Sequence, residues 1–150
     1  MDDDAGVAFL TRDPRHGFRP NPAPATRTAS RILFRFGLAR WDLVLRQTVI
    51  APGGQSGWHF HDGTLFVLVT GGVLDHPKAD CTPVTIRPWR VFREPSGPGH
   101  AHLARNSGPR PVTLTVVYVN PKGSPLSRGI PPPACAPADG EPGPRGKLSP

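Results

Sequence analysis

From Arg31 to Asn120 the apolar and polar residues alternate with a period of two, and no stretch carries the 3.6-residue stripe of an amphipathic helix. The pattern predicts short strands over 31–36, 40–50 and 58–61, then 64–70, whose continuous apolar run (TLFVLVT) suggests burial on both faces. Further short strands follow over 73–74, 84–86, 91–92, 100–105 and 112–120. Pro52-Gly53-Gly54, Asp62-Gly63 and Gly71-Gly72 read as the turns between them. Many short strands with Gly/Pro turns predict an all-β sandwich or barrel.

Proline divides this pattern from its flanks. Pro14, Pro20, Pro22 and Pro24 stand before it, and nine prolines fall within 121–150. The expected organisation is an N-terminal arm over 1–29, a barrel over 30–120 and a Pro/Gly-rich tail over 121–150, with both arms extended or disordered. The 17 glycines and 21 prolines among 150 residues exclude a helical bundle, because both break helices. No apolar run approaches the roughly 18 residues of a membrane span. The acidic start MDDDAGVAFL lacks the form of a secretory signal, so the cytoplasm is the expected compartment.

The net charge of +7 comes mostly from arginine, spread along the chain rather than gathered in one block. No helix-turn-helix or RNP-like pattern accompanies it, so a nucleic-acid partner is not indicated beyond a lesser alternative for the basic N-terminal arm. Cys81 and Cys135 lie 54 positions apart. They would staple the tail to the domain in an oxidising compartment; in a cytoplasmic protein they are expected as reduced thiols.

Four of the six histidines form two HxH pairs, His59/His61 and His100/His102. Side chains at i and i+2 of a strand share a face, so each pair aims into one space. Neutral imidazole is the commonest metal ligand, and two such strands can cage one divalent ion. Gly53, five residues, His59-Phe60-His61 and then Gly72 fit the frame G-x5-HxH-x3,4-E-x6-G. Pro95-Ser96-Gly97-Pro98-Gly99-His100 and His102-Leu103-Ala104-Arg105-Asn106 fit the two parts of G-x5-PxG-x2-H-x3-N.

In these motifs the chain resembles the cupins. The resemblance implies a double-stranded β-helix, or jelly-roll, barrel with a divalent transition metal, iron, nickel, copper or zinc, held by His59, His61 and His102. His100 is an alternative or fourth ligand, because PxGxxH points to His100 and HxxxN to His102. The frame puts the family's glutamate at Leu65 or Phe66, neither of which binds metal, and Trp89 replaces the glycine that opens the second motif. A neutral nitrogen-only set suits transition ions better than magnesium or calcium. The implied function is a small-molecule metalloenzyme, dioxygenase-type ahead of isomerase or lyase. The alternative is a metal-free ligand-binding or structural barrel. A homodimer is expected through the apolar strand 31–36.

Trp58 and Tyr118 are pocket candidates, each with core packing as the simpler reading. One of Arg46 and Gln47, on opposite faces of one strand, faces the pocket. Asp62 reads as turn chemistry, and His76 and His16 as solvated.

Overall fold

A computed structural model describes residues 19–20 and 25–137. His16, most of the expected N-terminal arm and the end of the tail lie outside the described residues. The strands are β1 (Arg19–Pro20), β2 (Thr26–Leu38), β3 (Trp41–Gln55), β4 (His59–Phe60), β5 (Thr64–Gly71), β6 (Leu74–Asp75), β7 (Thr85–Ile86), β8 (Val91–Glu94), β9 (Val112–Pro121) and β10 (Arg128–Gly129). A single 3-10 turn covers Pro98–His100. Among the described residues no helix is long and apolar enough to cross a membrane.

Two layers make a jelly roll. The larger sheet runs β1-β2-β3-β9-β5-β8. The other layer consists of the pairs β10-β4 and β6-β7. Residues 101–106 lie between these pairs, bridged through His59↔His102 and Gln55↔Arg105 on one side and Lys78↔His102 and Asp75↔Arg105 on the other. This segment was expected as a strand; it makes single bridges rather than a continuous ladder.

Alternation builds the core. Val112, Leu114, Val116 and Tyr118 of β9 point inward with Val44 and Ile50 of β3 and Leu65, Val67 and Val69 of β5, meeting Leu74 and Ala104 of the opposite layer. β5 is therefore not buried on both sides. Phe66 points outward and is 46% exposed. Apolar residues on its outer face belong to an apolar region of the sheet's outer face, which elsewhere carries polar positions such as Gln47 and Thr115. Phe34, Leu45, Val117 and Phe66 form one cross-strand row, and Phe36, Leu43 and Val119 the next.

The Pro52-Gly54 segment is not a turn but the end of β3, irregularly paired with β2. Gly53 and Gly72, the two motif glycines, sit at φ +76° and +68°. That left-handed backbone costs glycine nothing and strains other residues, which gives the motif a physical cause. Asn106, the motif asparagine, is fully buried. Its Nδ2 donates to the carbonyls of Ile50 and Arg110, both at 2.9 Å, and its Oδ1 accepts from the Gly108 amide at 2.9 Å. It joins the two layers and closes the turn before β9.

The tail differs from its expectation over 122–137. β10 pairs with β4, the Ile130 amide donates to the Trp58 carbonyl at 2.9 Å, and Leu126 packs on the core. Arg128 pairs with both carboxylate oxygens of Asp62 at 2.7 and 2.9 Å. Cys81 and Cys135, expected as reduced thiols, are joined in a disulfide. Such a bond is the form that an oxidising compartment preserves.

Truncating Asn106 tests this account. Asn106→Ala orphans two carbonyls and an amide, each costing on the order of 1 kcal/mol or more when buried. The expected loss is about 3 kcal/mol, seen as a fall in Tm of about 10 °C in calorimetry. A shift under about 2 °C would show that the motif asparagine holds nothing.

Candidate metal centre

His59 and His102 face each other across the second layer. The amide of each donates to the other's carbonyl, at 3.0 and 2.9 Å. Residues paired in this way project their side chains to the same face. His61, two residues beyond His59, joins them, and the three rings lie 4.6–5.1 Å apart. His61 and His102 are buried and His59 half-buried. His100 is exposed on the 3-10 turn, outside the cluster. The turn breaks the strand alternation that would have placed it beside His102. It contributes its backbone carbonyl instead, 2.9 Å from His102 Nδ1.

All three imidazoles are oriented alike. His59 Nδ1 lies 2.8 Å from the Gly57 carbonyl, and His61 Nδ1 lies 2.6 Å from the Leu126 carbonyl. A carbonyl only accepts, so each Nδ1 carries the proton and Nε2 is left to face the cavity. Metal-binding histidines are fixed in this manner by an outer hydrogen bond.

A carboxylate enters from an unexpected strand. Leu65, where the motif frame looks for glutamate, is directly opposite Glu94 in the β5–β8 register. Opposed residues share a face, so Glu94 reaches the space the frame reserves for a residue on β5. Its Oε2 is 3.1 Å from His61 Nε2 and 3.3 Å from His102 Nε2. Its Oε1 is 3.3 Å from the Nε2 of His76. His76, expected in solvent, is buried, with its ring 4.6 Å from that of His102. Glu94 is one of two glutamates in the chain, the other being Glu141, and that scarcity was the available signal. For His76 nothing in the local spacing gave one.

The electrostatics follow from burial. Desolvation, reinforced by the charges of His102 and His61, brings His59 down to about 3. Desolvation brings His76 down to about 4 against the pull of Glu94. Burial opposes ionisation of Glu94, but the charge of His102 and contacts with His102 and His61 hold it well below the usual carboxylate range. Burial likewise opposes the charged form of His102, and Glu94 overcomes it and raises the imidazole above 6.5.

Two overlapping groups have the ligand atoms to hold a metal, His59/His61/His102 and His76/Glu94/His102, with the atoms of each within 4.8 Å of one another. His102 Nε2 is buried without a hydrogen-bond partner. Ligand atoms roughly 2.0–2.2 Å from an ion stand about 3 Å apart. The 3.1–3.3 Å separations around Glu94 Oε2 match that spacing. Nitrogen lone pairs turned toward a carboxylate repel unless a proton or a cation intervenes. The residues thus fit a divalent transition ion.

Beside them lies a cavity of about 60 Å³, whose walls include Arg46, Tyr118, Ser127, Leu65 and Val67. Tyr118 is on that wall, while Trp58 is buried in packing and is not. Arg46 faces the cavity; Gln47 faces outward, where its Oε1 accepts from Arg31 at 3.1 Å.

No family model matches the sequence, and no curated protein does. Solved structures do. The polyketide cyclase RemF from Streptomyces resistomycificus superposes with a TM-score of 0.62 at 22% identity, over 79% of this chain and 84% of that one. The cupin-2 domain Rru_A2000 from Rhodospirillum rubrum superposes at 0.61 and 17%, over 80% and 78%. The fold is that of a cupin barrel. A structure described as that of the DMSP lyases RdDddP and RnDddQII gives 0.61 and 18%, over 84% and 77%.

The metal-free cupin barrel should lose stability on mild acidification. His59 and His76, lowered to about 3 and 4, take protons only when unfolded between about pH 6.5 and 4, so folding stability falls as pH falls through that window. His102 is raised, so its contribution is full below 6.5 and is lost as pH rises through its folded value. Glu94 is lowered, so its contribution is present above 4.5 and is lost only as pH falls toward its folded value. Two losses outweigh one gain. Thermal melts of chelator-treated protein from pH 7 to 4 should show a falling Tm; a rise across that range would contradict the assignment.

Proposed function

We propose that this cupin barrel is a metal-dependent enzyme acting on a small molecule. In this reading His59, His61, His102 and Glu94 through Oε2 hold one divalent transition ion. His76 orients the carboxylate from its other oxygen. The observation that carries the reading is the gathering of three Nδ1-anchored imidazoles in one cluster, two of which, His61 and His102, also meet the buried carboxylate of Glu94. Such an ion supplies Lewis acidity, or redox chemistry if it is iron or copper.

The cavity favours rearrangement or elimination over oxidation. Burial pushes the Tyr118 phenol up from its ordinary value, which keeps its hydroxyl a hydrogen-bond donor on the cavity wall. A proton donor beside a Lewis acid suits cyclase, lyase or isomerase chemistry. The likeness to structures described as a polyketide cyclase and DMSP lyases supports the same order, which places dioxygenase-type chemistry second. A metal-free ligand-binding barrel is the reading to which failure of metal loading would return.

Elemental analysis of protein purified without a metal-affinity tag tests this. One transition ion per chain is expected in the wild type. His102→Ala, which breaks both candidate groups, should abolish it, and Glu94→Gln should weaken retention by about tenfold or more. A wild-type protein that cannot be loaded with iron, nickel, copper or zinc would sink the reading.

We also propose that the outer face of the large sheet is covered by a second copy of the chain. Phe34, Phe36, Leu38 and Trp41 are each about half exposed, and Phe34 and Phe36 stack with centroids 6.4 Å apart. With their cross-strand neighbours they present roughly 600–700 Å² of apolar surface, close to the ~800 Å² per partner of a standard interface. Light scattering should give twice the chain mass for the wild type and the chain mass for Phe34→Ser/Phe36→Ser. A wild-type monomer at 100 μM or above would exclude the dimer.

A further inference from the structure

We propose that the cavity takes a small, largely apolar molecule through one acceptor oxygen, such as that of a ketone, which receives the hydroxyl proton of Tyr118. This names a substrate class for the metal-dependent reading above and rests on it.

Placement comes first. Tyr118 lies opposite Val44 in the β3–β9 register and opposite Leu65 in the β5–β9 register, and both partners are buried inward residues. Opposed residues share a face, so the phenol enters the barrel. It lines the cavity, with its ring edge-on to that of His61 and the centroids 5.9 Å apart. Only 4% of the residue is exposed.

The hydroxyl is satisfied on one side only. A phenol oxygen both accepts and donates. It accepts from Arg46 Nη1 at 3.2 Å. A guanidinium has no lone pair, so Arg46 cannot take the phenol's own proton. Among the described residues no acceptor bonds that proton. Burial pushes the phenol up from its ordinary value, so the proton stays on the oxygen. A buried donor without an acceptor is costly. The cavity is where a ligand can supply one.

The walls define the rest of the ligand. Val116 and Leu114 follow Tyr118 on the inward face of β9, and Leu65 and Val67 face them from β5; all four line the cavity. Hydrocarbon gains by burial against such walls, whereas added hydroxyls would lose their bonds to water there. A ketone oxygen accepts without bringing a donor that needs a partner of its own. A short carbonyl compound therefore suits the site better than a sugar.

The test uses the fact that Tyr118 is the only tyrosine of the chain. Tyrosine labelled with carbon-13 at Cζ gives one resonance that reports on this hydroxyl. Zinc-loaded protein, its zinc content measured on the same samples, is titrated with butanone and with 2-methylbut-1-ene, in which a methylene replaces the oxygen. Butanone should move the resonance saturably, and the alkene should move it less than about half as far. Amide signals give the affinities. Tyr118→Phe should weaken butanone by about fivefold or more, the order of one hydrogen bond, and change the alkene by less than about twofold. Butanone that moves the resonance no further than the alkene does, or Tyr118→Phe that binds both probes as the wild type does, overturns the assignment and leaves the metal site standing. Wild type that takes up no zinc or other transition ion overturns the metal-dependent reading, and the same titrations on that protein decide the Tyr118 assignment separately. If Tyr118→Phe does not fold, the wild-type resonance decides.

Discussion

A carboxylate buried among imidazoles is the constraint on which the barrel's interior turns. Removing Glu94 from water costs several kcal/mol unless its charge is met. Among the described residues its ion-pair neighbours are His61, His76 and His102. An imidazole neutralises a carboxylate only by holding a proton, and the same geometry accepts a metal in the proton's place. His102 plays that part in the metal-free protein, which is why its affinity for a proton is raised while those of His59 and His76 collapse. One proton and one ion compete for one charge.

Register is what lets this chain keep a carboxylate where its linear motif lacks one. The sheet places Leu65 and Glu94 side by side on the inner face. A carboxylate moved from one strand to its neighbour travels about 5 Å, within the reach of the longer acidic side chain. An inward carboxylate is kept while the linear spacing is not. A reading along the chain sees the vacancy at Leu65. It cannot see the replacement, because strand pairing is a long-range fact decided by packing.

That distinction also sorts the rest of what the sequence made legible. Local chemistry read well: the period-two strands, the same-face HxH spacing of His59 and His61, and the motif glycines at Gly53 and Gly72 all depend on a few adjacent residues. The HxxxN spacing favours His102 over His100, and Asn106, four residues beyond His102, fixes that segment through its three hydrogen bonds. Tertiary facts did not read. His76 carries no local mark, and its burial comes from β6 lying beside the segment 101–106. The apolar run of β5 reads along the chain as doubly buried, because an apolar outer face in an open sheet is the exception. The tail's prolines obscured a segment that docks by one short pairing and a disulfide.

The docked tail bears on the metal centre directly. Leu126, whose carbonyl holds the Nδ1 proton of His61, belongs to the tail and not to the barrel strands. That tail is held by the packing of Leu126 on the core, the Asn120 Nδ2 donation to the Pro125 carbonyl at 3.1 Å, the Arg128–Asp62 pair, the β10–β4 pairing and the Cys81–Cys135 bond. The Arg128–Asp62 pair is exposed and weak by nature, and two residues of pairing form a marginal strand. The disulfide differs in kind. It limits the excursions of the unpaired chain around residue 126 without contacting the site, and so narrows the positions the Leu126 carbonyl can take. His61 is therefore oriented by a contact that lies outside the barrel strands but packs against them. Of the three anchored imidazoles it is the one whose aim depends on the tail staying docked. His59 and His102 take their acceptors from within two residues of themselves, at Gly57 and His100, and keep them wherever the tail goes.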